Sequence, residues 1–153
     1  MRKPFIAGNW KMNTNNETGT ALASALAQKL NEAAAEKVTV AVCPPFVYLQ
    51  SVAEALSTSN IGLGAQDVYF EGNGAFTGEI SVEMLKDVCC TYAIIGHSER
   101  RHVLGESDEL INKKIKAAIS GGLLPIFCVG ELLEERESNK TEAVVARQIE
   151  KGL

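Results

Sequence analysis

Short apolar runs alternate with amphipathic stretches along the whole chain. Five runs stand out: Phe5–Gly8, Val38–Val42, Ile61–Leu63, Thr91–Ile95 and Leu124–Val129. They are mostly continuous rather than alternating, the pattern of strands covered on both faces of a parallel sheet. Their starts lie 33, 23, 30 and 33 residues apart, which is the length of a βα unit and too long for a hairpin. The stretches between them read as helices. Thr14-x-x-Glu17 predicts a capping box opening the first, and Leu22, Leu26 and Leu30, with Ala25 and Ala33, give it an apolar stripe. Pro44-Pro45 opens a second helix over Phe46–Leu56, and Ser81–Val88 reads as a short third. Ser107 caps a fourth, with Asp108 and Glu109 in the first turn where the helix dipole favours carboxylates. Its stripe is Leu110, Ile111, Ile115, Ala118 and Ile119, and Gly121-Gly122 end it. Thr141–Lys151 is the fifth, with Val144, Val145 and Ile149 on its apolar side.

The order β-α-β-α-β-α-β-α-β-α implies an α/β fold with right-handed parallel crossovers. No Pro/Ser-rich linker or composition shift divides the chain, so residues 1–153 read as a single domain. Two architectures fit: an open doubly wound sheet, which suits this length, or a portion of a (β/α)8 barrel, which typically takes about 250 residues. Periodicity alone favours the open sheet. Composition narrows the function classes: 46% hydrophobic residues are enough for a real core. With 15 Lys+Arg against 19 Asp+Glu the net charge is −4, which argues against nucleic acid as a partner. No apolar run approaches the ~20 residues of a membrane span, and Met1 to Asn9 do not form a signal peptide. A soluble cytoplasmic domain is expected. Cys43, Cys89, Cys90 and Cys128 all lie in or beside apolar runs without a C-x-x-C, so buried thiols in a reducing compartment are expected rather than a zinc site.

In either architecture the chemistry belongs at the C-terminal ends of the strands. Those positions carry Asn9-Trp10-Lys11-Met12-Asn13, Cys43-Pro44-Pro45-Phe46, the glycine-rich loop Gln66–Glu79, Gly96-His97-Ser98-Glu99-Arg100-Arg101 and Gly130-Glu131. An amide, a cation, an imidazole and two carboxylates thus converge on one rim. Each has an ordinary reading: a solvated Lys11, a hydrogen-bonded structural His97, a surface ion pair of Glu99 and Arg100. His97 and His102 are five apart with no nearby cysteine, so no metal is expected. The glycine loop is neither G-x-G-x-x-G nor G-x-x-x-x-G-K-[ST], which sets aside an open-sheet nucleotide binder.

Taken together, the rim segments resemble those of the triosephosphate isomerase family. The resemblance rests on Ala7–Asn13, Gly64–Asp67, Gly74–Ser81, Ile95–Arg101 and Cys128–Glu131, in order and over the whole chain. It implies a TIM barrel of which this chain covers about five βα units. It further implies interconversion of dihydroxyacetone phosphate and glyceraldehyde 3-phosphate, in glycolysis and gluconeogenesis, with no cofactor. By this resemblance Lys11 attracts the anionic triose and supports the developing enediolate, Asn9 helps hold the substrate oxygens, His97 is the electrophile, and Glu99 braces Lys11. Proton abstraction beside a carbonyl builds oxyanion charge that preorganised donors stabilise. A neutral imidazole at a helix start suits that task.

The resemblance also marks a departure. The family's basic glutamate follows the sixth strand, with a mobile lid and most of the phosphate grip beyond it, and no A-Y-E-P-V-W-like segment occurs in this sequence. Glu99 and Glu131 are the rim carboxylates present, and neither corresponds to the base. The expectation is an electrophilic half-site: part of an isomerase, or a non-catalytic truncated barrel that folds or assembles without turnover. The loop Gln66–Glu79 is long and carries Val68, Tyr69, Phe70 and Phe76 among glycines. It is expected to be an intersubunit device, and the resemblance places Phe76 and Thr77 at a homodimer contact, Thr77 near the other chain's Asn9 and Lys11.

Overall fold

Five parallel strands form one sheet whose spatial order is the chain order, β1 (Phe5–Asn9), β2 (Thr39–Cys43), β3 (Gly62–Ala65), β4 (Tyr92–Ile95) and β5 (Leu124–Phe127). The computed structural model describes residues 2–30 and 36–153. Among these, the helices are α1 (Asn16–Lys29), α2 (Leu49–Leu56), α3 (Val82–Asp87), α4 (Ser98–His102), α5 (Asp108–Ser120), α6 (Leu133–Glu137) and α7 (Thr141–Gly152). A strictly sequential order has no switch point, so right-handed crossovers put every helix on the same face. That rules out the doubly wound alternative and leaves a curled half-barrel.

The curl is visible across the concave face. Phe5 on β1 and Tyr92 on β4 have ring centroids 4.9 Å apart, whereas three interstrand spacings in a flat sheet measure about 14 Å. Small residues make that approach possible. A Cβ at Gly62 would lie 2.6 Å from the Tyr92 ring, and one at Gly64 would lie 2.6 Å from Cys43 Sγ. The convex face carries the core, where Val42, Leu63, Ala65, Ala93 and Ile95 pack against Val52, Leu85, Ile111, Ile115 and Ala118 of the helices. The central strands are covered, while β1 and β5 are open along their outer sides: Ile6 is 59% exposed and Leu124 55%.

Several local expectations change. The first helix is capped by Asn15, not Thr14: Asn15 Oδ1 accepts from the Thr18 amide at 2.8 Å and Thr18 Oγ1 from the Asn15 amide at 3.0 Å. Thr14 has φ +75°, a left-handed conformation incompatible with the extended geometry of an N-cap. The buried side of α1 is Gly19 and Ala23, with Leu26 and Leu30 packed against the core, while Leu22 and Ala25 face solvent; Ala33 lies outside the described residues. The second helix begins as a 3-10 turn over Phe46–Tyr48, and α2 starts at Leu49 because Tyr48 leaves helical geometry. In α5 the buried face is Ile111, Lys114, Ile115 and Ala118, and Ile119 is exposed. All four cysteines are free thiols. Cys43 and Cys90 are buried, Cys128 is half-buried, and Cys89, at φ +64° in the turn after α3, is exposed, contrary to expectation.

Candidate active site

The rim positions of β1 and β4 meet through side chains 88 residues apart in sequence. Asn9 ends β1, and its Oδ1 accepts the Lys11 amide at 2.9 Å. Lys11 itself has φ +54°, a conformation that costs a non-glycine residue about 1–3 kcal/mol. Its carbonyl accepts from Gln66 Nε2 at 2.9 Å, and the same Nε2 donates to the Cys43 carbonyl at 2.8 Å. Both peptide groups of the strained residue are therefore pinned, and its side chain is aimed across the rim. There Lys11 Nζ donates to Glu99 Oε1 at 2.7 Å. That bond holds the Glu99 carboxyl below the usual carboxylate range, with the Lys11 charge adding to it.

His97 is the N-cap of α4. Its Nδ1 accepts the Glu99 amide at 3.3 Å and lies 3.5 Å from Glu99 Oε2. Accepting at Nδ1 assigns the ring proton to Nε2, which makes the far side of the imidazole a hydrogen-bond donor. A cleft of about 310 Å³ opens beside it, lined by His97, Ser98, Arg101, Cys128, Gly130 and Glu131 among others. The structure thus brings Asn9, Lys11, His97 and Glu99 together. The carboxyl of Glu131 is engaged elsewhere: Oε1 accepts from Arg136 Nε at 2.7 Å and Thr141 Oγ1 at 3.2 Å, and the Arg136 bond chiefly lowers its pKa. Phe76 and Thr77 are exposed on the Gln66–Glu79 loop, with Phe76 stacked near Tyr69 at 5.0 Å. This loop is ordered by Asn73, which donates to Glu83 and accepts from Ser81.

Supporting residues were missed in the sequence. Gln66 pins Lys11, Arg101 ties β4 to β5, and buried Gln148 pairs with both the N–H and the C=O of Gly130 at 2.8 and 3.0 Å. Gln66 was at least visible as a polar residue at a strand end. Gln148 sits inside a helix stripe, and nothing in its local pattern marks it.

The family model of triosephosphate isomerase matches residues 4–153. The chain belongs to the triosephosphate isomerase family. It is 58% identical over 153 residues to the triosephosphate isomerase of Carboxydothermus hydrogenoformans and 51% identical to that of Moorella thermoacetica, covering 100% of this chain and 60% of each relative. It is 48% identical over 152 residues to that of Rhodopirellula baltica, covering 99% of this chain and 59% of the relative. The chain therefore spans about three-fifths of the length of the curated triosephosphate isomerases it matches.

Proposed function

We propose that this chain supplies the electrophilic half of a triosephosphate isomerase site that interconverts dihydroxyacetone phosphate and glyceraldehyde 3-phosphate without a cofactor. The observation that carries the reading is a strained, doubly pinned Lys11 directed at Glu99 beside an imidazole whose Nδ1 accepts the Glu99 amide. In the reaction a base takes a proton from the carbon next to the carbonyl. The C–H electron pair becomes the carbon–carbon double bond, and the carbonyl oxygen gains the charge. Returning the proton to the neighbouring carbon completes the isomerisation. His97 Nε2–H donates to the oxygen that becomes anionic, and Lys11 contributes positive charge to it and to the dianionic phosphate. Asn9 holds Lys11 through its Oδ1 and helps hold the substrate oxygens; Glu99 fixes the ammonium. Donors set in place before the reaction stabilise charge without reorganising.

Glu99 and Glu131 are both held as ion-paired carboxylates, and neither is assigned as the base. A homodimer fits the exposed loop carrying Phe76 and Thr77, and free thiols suit a cytoplasmic protein. Among the described residues, no helix is long and apolar enough to cross a membrane. A second reading, a non-catalytic half-barrel that self-associates, draws on the exposed Ile6 and Leu124 at the open strands. A coupled assay with glyceraldehyde 3-phosphate separates the two. This chain continued to its relatives' length should turn over, whereas residues 1–153 alone should not. A continued chain that binds no triose and turns over none contradicts the proposal.

A further inference from the structure

Arg101 follows His97 by one helical turn, and its side chain is 6% exposed. Each nitrogen of its guanidinium reaches a different part of the rim. Nε donates to the Gly96 carbonyl at 2.7 Å, Nη1 to Asp108 Oδ1 at 2.5 Å, and Nη2 to the Cys128 carbonyl at 3.2 Å. The cation also sits 5.9 Å from the centroid of Phe127. One planar fork thus joins the residue after β4, the residue after β5 and the first turn of α5. Gly96 is pressed against it. Its φ is +74°, and a Cβ there would come 2.9 Å from Arg101 Nη2 and 3.1 Å from the Cys128 carbonyl.

The Gly96 carbonyl belongs to the peptide bond that enters His97, so turning that peptide turns the imidazole. The ring's own bond from the Glu99 amide is 3.3 Å long and holds it weakly. We infer that Arg101 is a positioning residue that sets, through the Gly96 and Cys128 carbonyls, the direction in which His97 presents Nε2. The inference rests on the reading of His97 as the electrophile. Lysine cannot take the role, because one ammonium on a flexible stem does not reproduce a fork with three diverging bonds. A misplacement of about 1 Å at a reacting group costs on the order of 10²-fold in rate.

The test uses this chain continued to its relatives' length. Arg101→Lys should lower kcat roughly 10²-fold with KM little changed, and should move the His97 ring ¹⁵N resonances. Guanidinium added to Arg101→Ala should restore part of kcat and return the His97 ring resonances toward their original positions. Should Arg101→Lys fail to fold, Asp108→Asn, which frees the guanidinium from its ionic anchor, should produce the same kcat loss and ring shift to a smaller degree. Unchanged ring resonances in a folded variant, or equal changes in kcat and KM, would overturn the inference. If the unsubstituted enzyme shows no turnover, the proposed function falls, and the ring resonances alone still decide whether Arg101 sets His97.

Discussion

Glu99 and Arg100 are neighbours on α4, yet they enter opposite surroundings. Glu99 pairs with Lys11 in the open, with both side chains about half exposed. Arg100 turns inward to Asp67 at 2.9 Å and Glu106 at 2.8 Å, where Lys114, 2% exposed, also reaches both carboxylates. Burial pushes the Asp67 carboxyl upward, against the pull of Lys114 and Arg100. Within the buried group Glu106 Oε2 lacks a protein partner among the described residues. Charges taken out of water must be fully paired, so loss of one partner is costly there. The open pair is solvated on both sides, so its loss should leave the fold intact. One short helix therefore joins a buried ionic node to a solvent-exposed ion pair on the rim.

The largest effect that would break this contrast is in the node. Lys114→Met should destabilise the protein by about 3–5 kcal/mol, because Asp67 and Glu106 are left with one cation between them. Urea unfolding checks it; an unchanged midpoint would remove the distinction. Replacing Asp67, Arg100, Glu106 and Lys114 together by apolar residues of similar volume should cost less than Lys114→Met alone, since no uncompensated charge remains. Lys11→Met should do the reverse of the node variant. It should cost roughly 10²–10³-fold in kcat/KM of the continued chain, with the unfolding midpoint where it was.

The pH dependence sharpens the same contrast through the thiols. Burial pushes Cys43 and Cys90 from 9.0 up to about 12. A raised folded pKa contributes stability that is whole below the unfolded value and lost as pH rises through the folded one. Stability should therefore fall between pH 9.0 and about 12. A flat profile there would contradict the burial. At neutral pH a thiol reagent should label Cys89 first and leave Cys43 and Cys90 untouched until unfolding, as mass spectrometry would show.

The strands were legible because apolar continuity and regular spacing are local signals, and the cap at Ser107 was legible because its side chain bonds its own helix; Ser81, read as part of its helix, proves to be the cap. The convergence of Lys11, His97 and Glu99 was legible from their positions past strand ends. Lys114 was not: at a core position of α5 it reads as a polar interruption, and Asp67, its partner, lies 47 residues away. Arg101 and Gln148 were hidden because most of their partners are backbone groups of Gly96, Cys128 and Gly130, which sequence cannot mark. Thr14 misled because its backbone is left-handed, with φ +75°, which a T-x-x-E pattern does not reveal. The short α6 shows no apolar period at five residues.

Glu99 is the residue on which the account turns, because it sits beside the node without belonging to it. The most direct measurement is a paired one on Glu99→Gln in the continued chain: the unfolding midpoint and kcat/KM for glyceraldehyde 3-phosphate from the same preparation. An unchanged midpoint with kcat/KM reduced at least tenfold, by about 1.4 kcal/mol or more in transition-state stabilisation, is the result predicted. A lowered midpoint with kcat/KM preserved would show that the Lys11–Glu99 pair holds the fold and not the substrate, and would contradict the account.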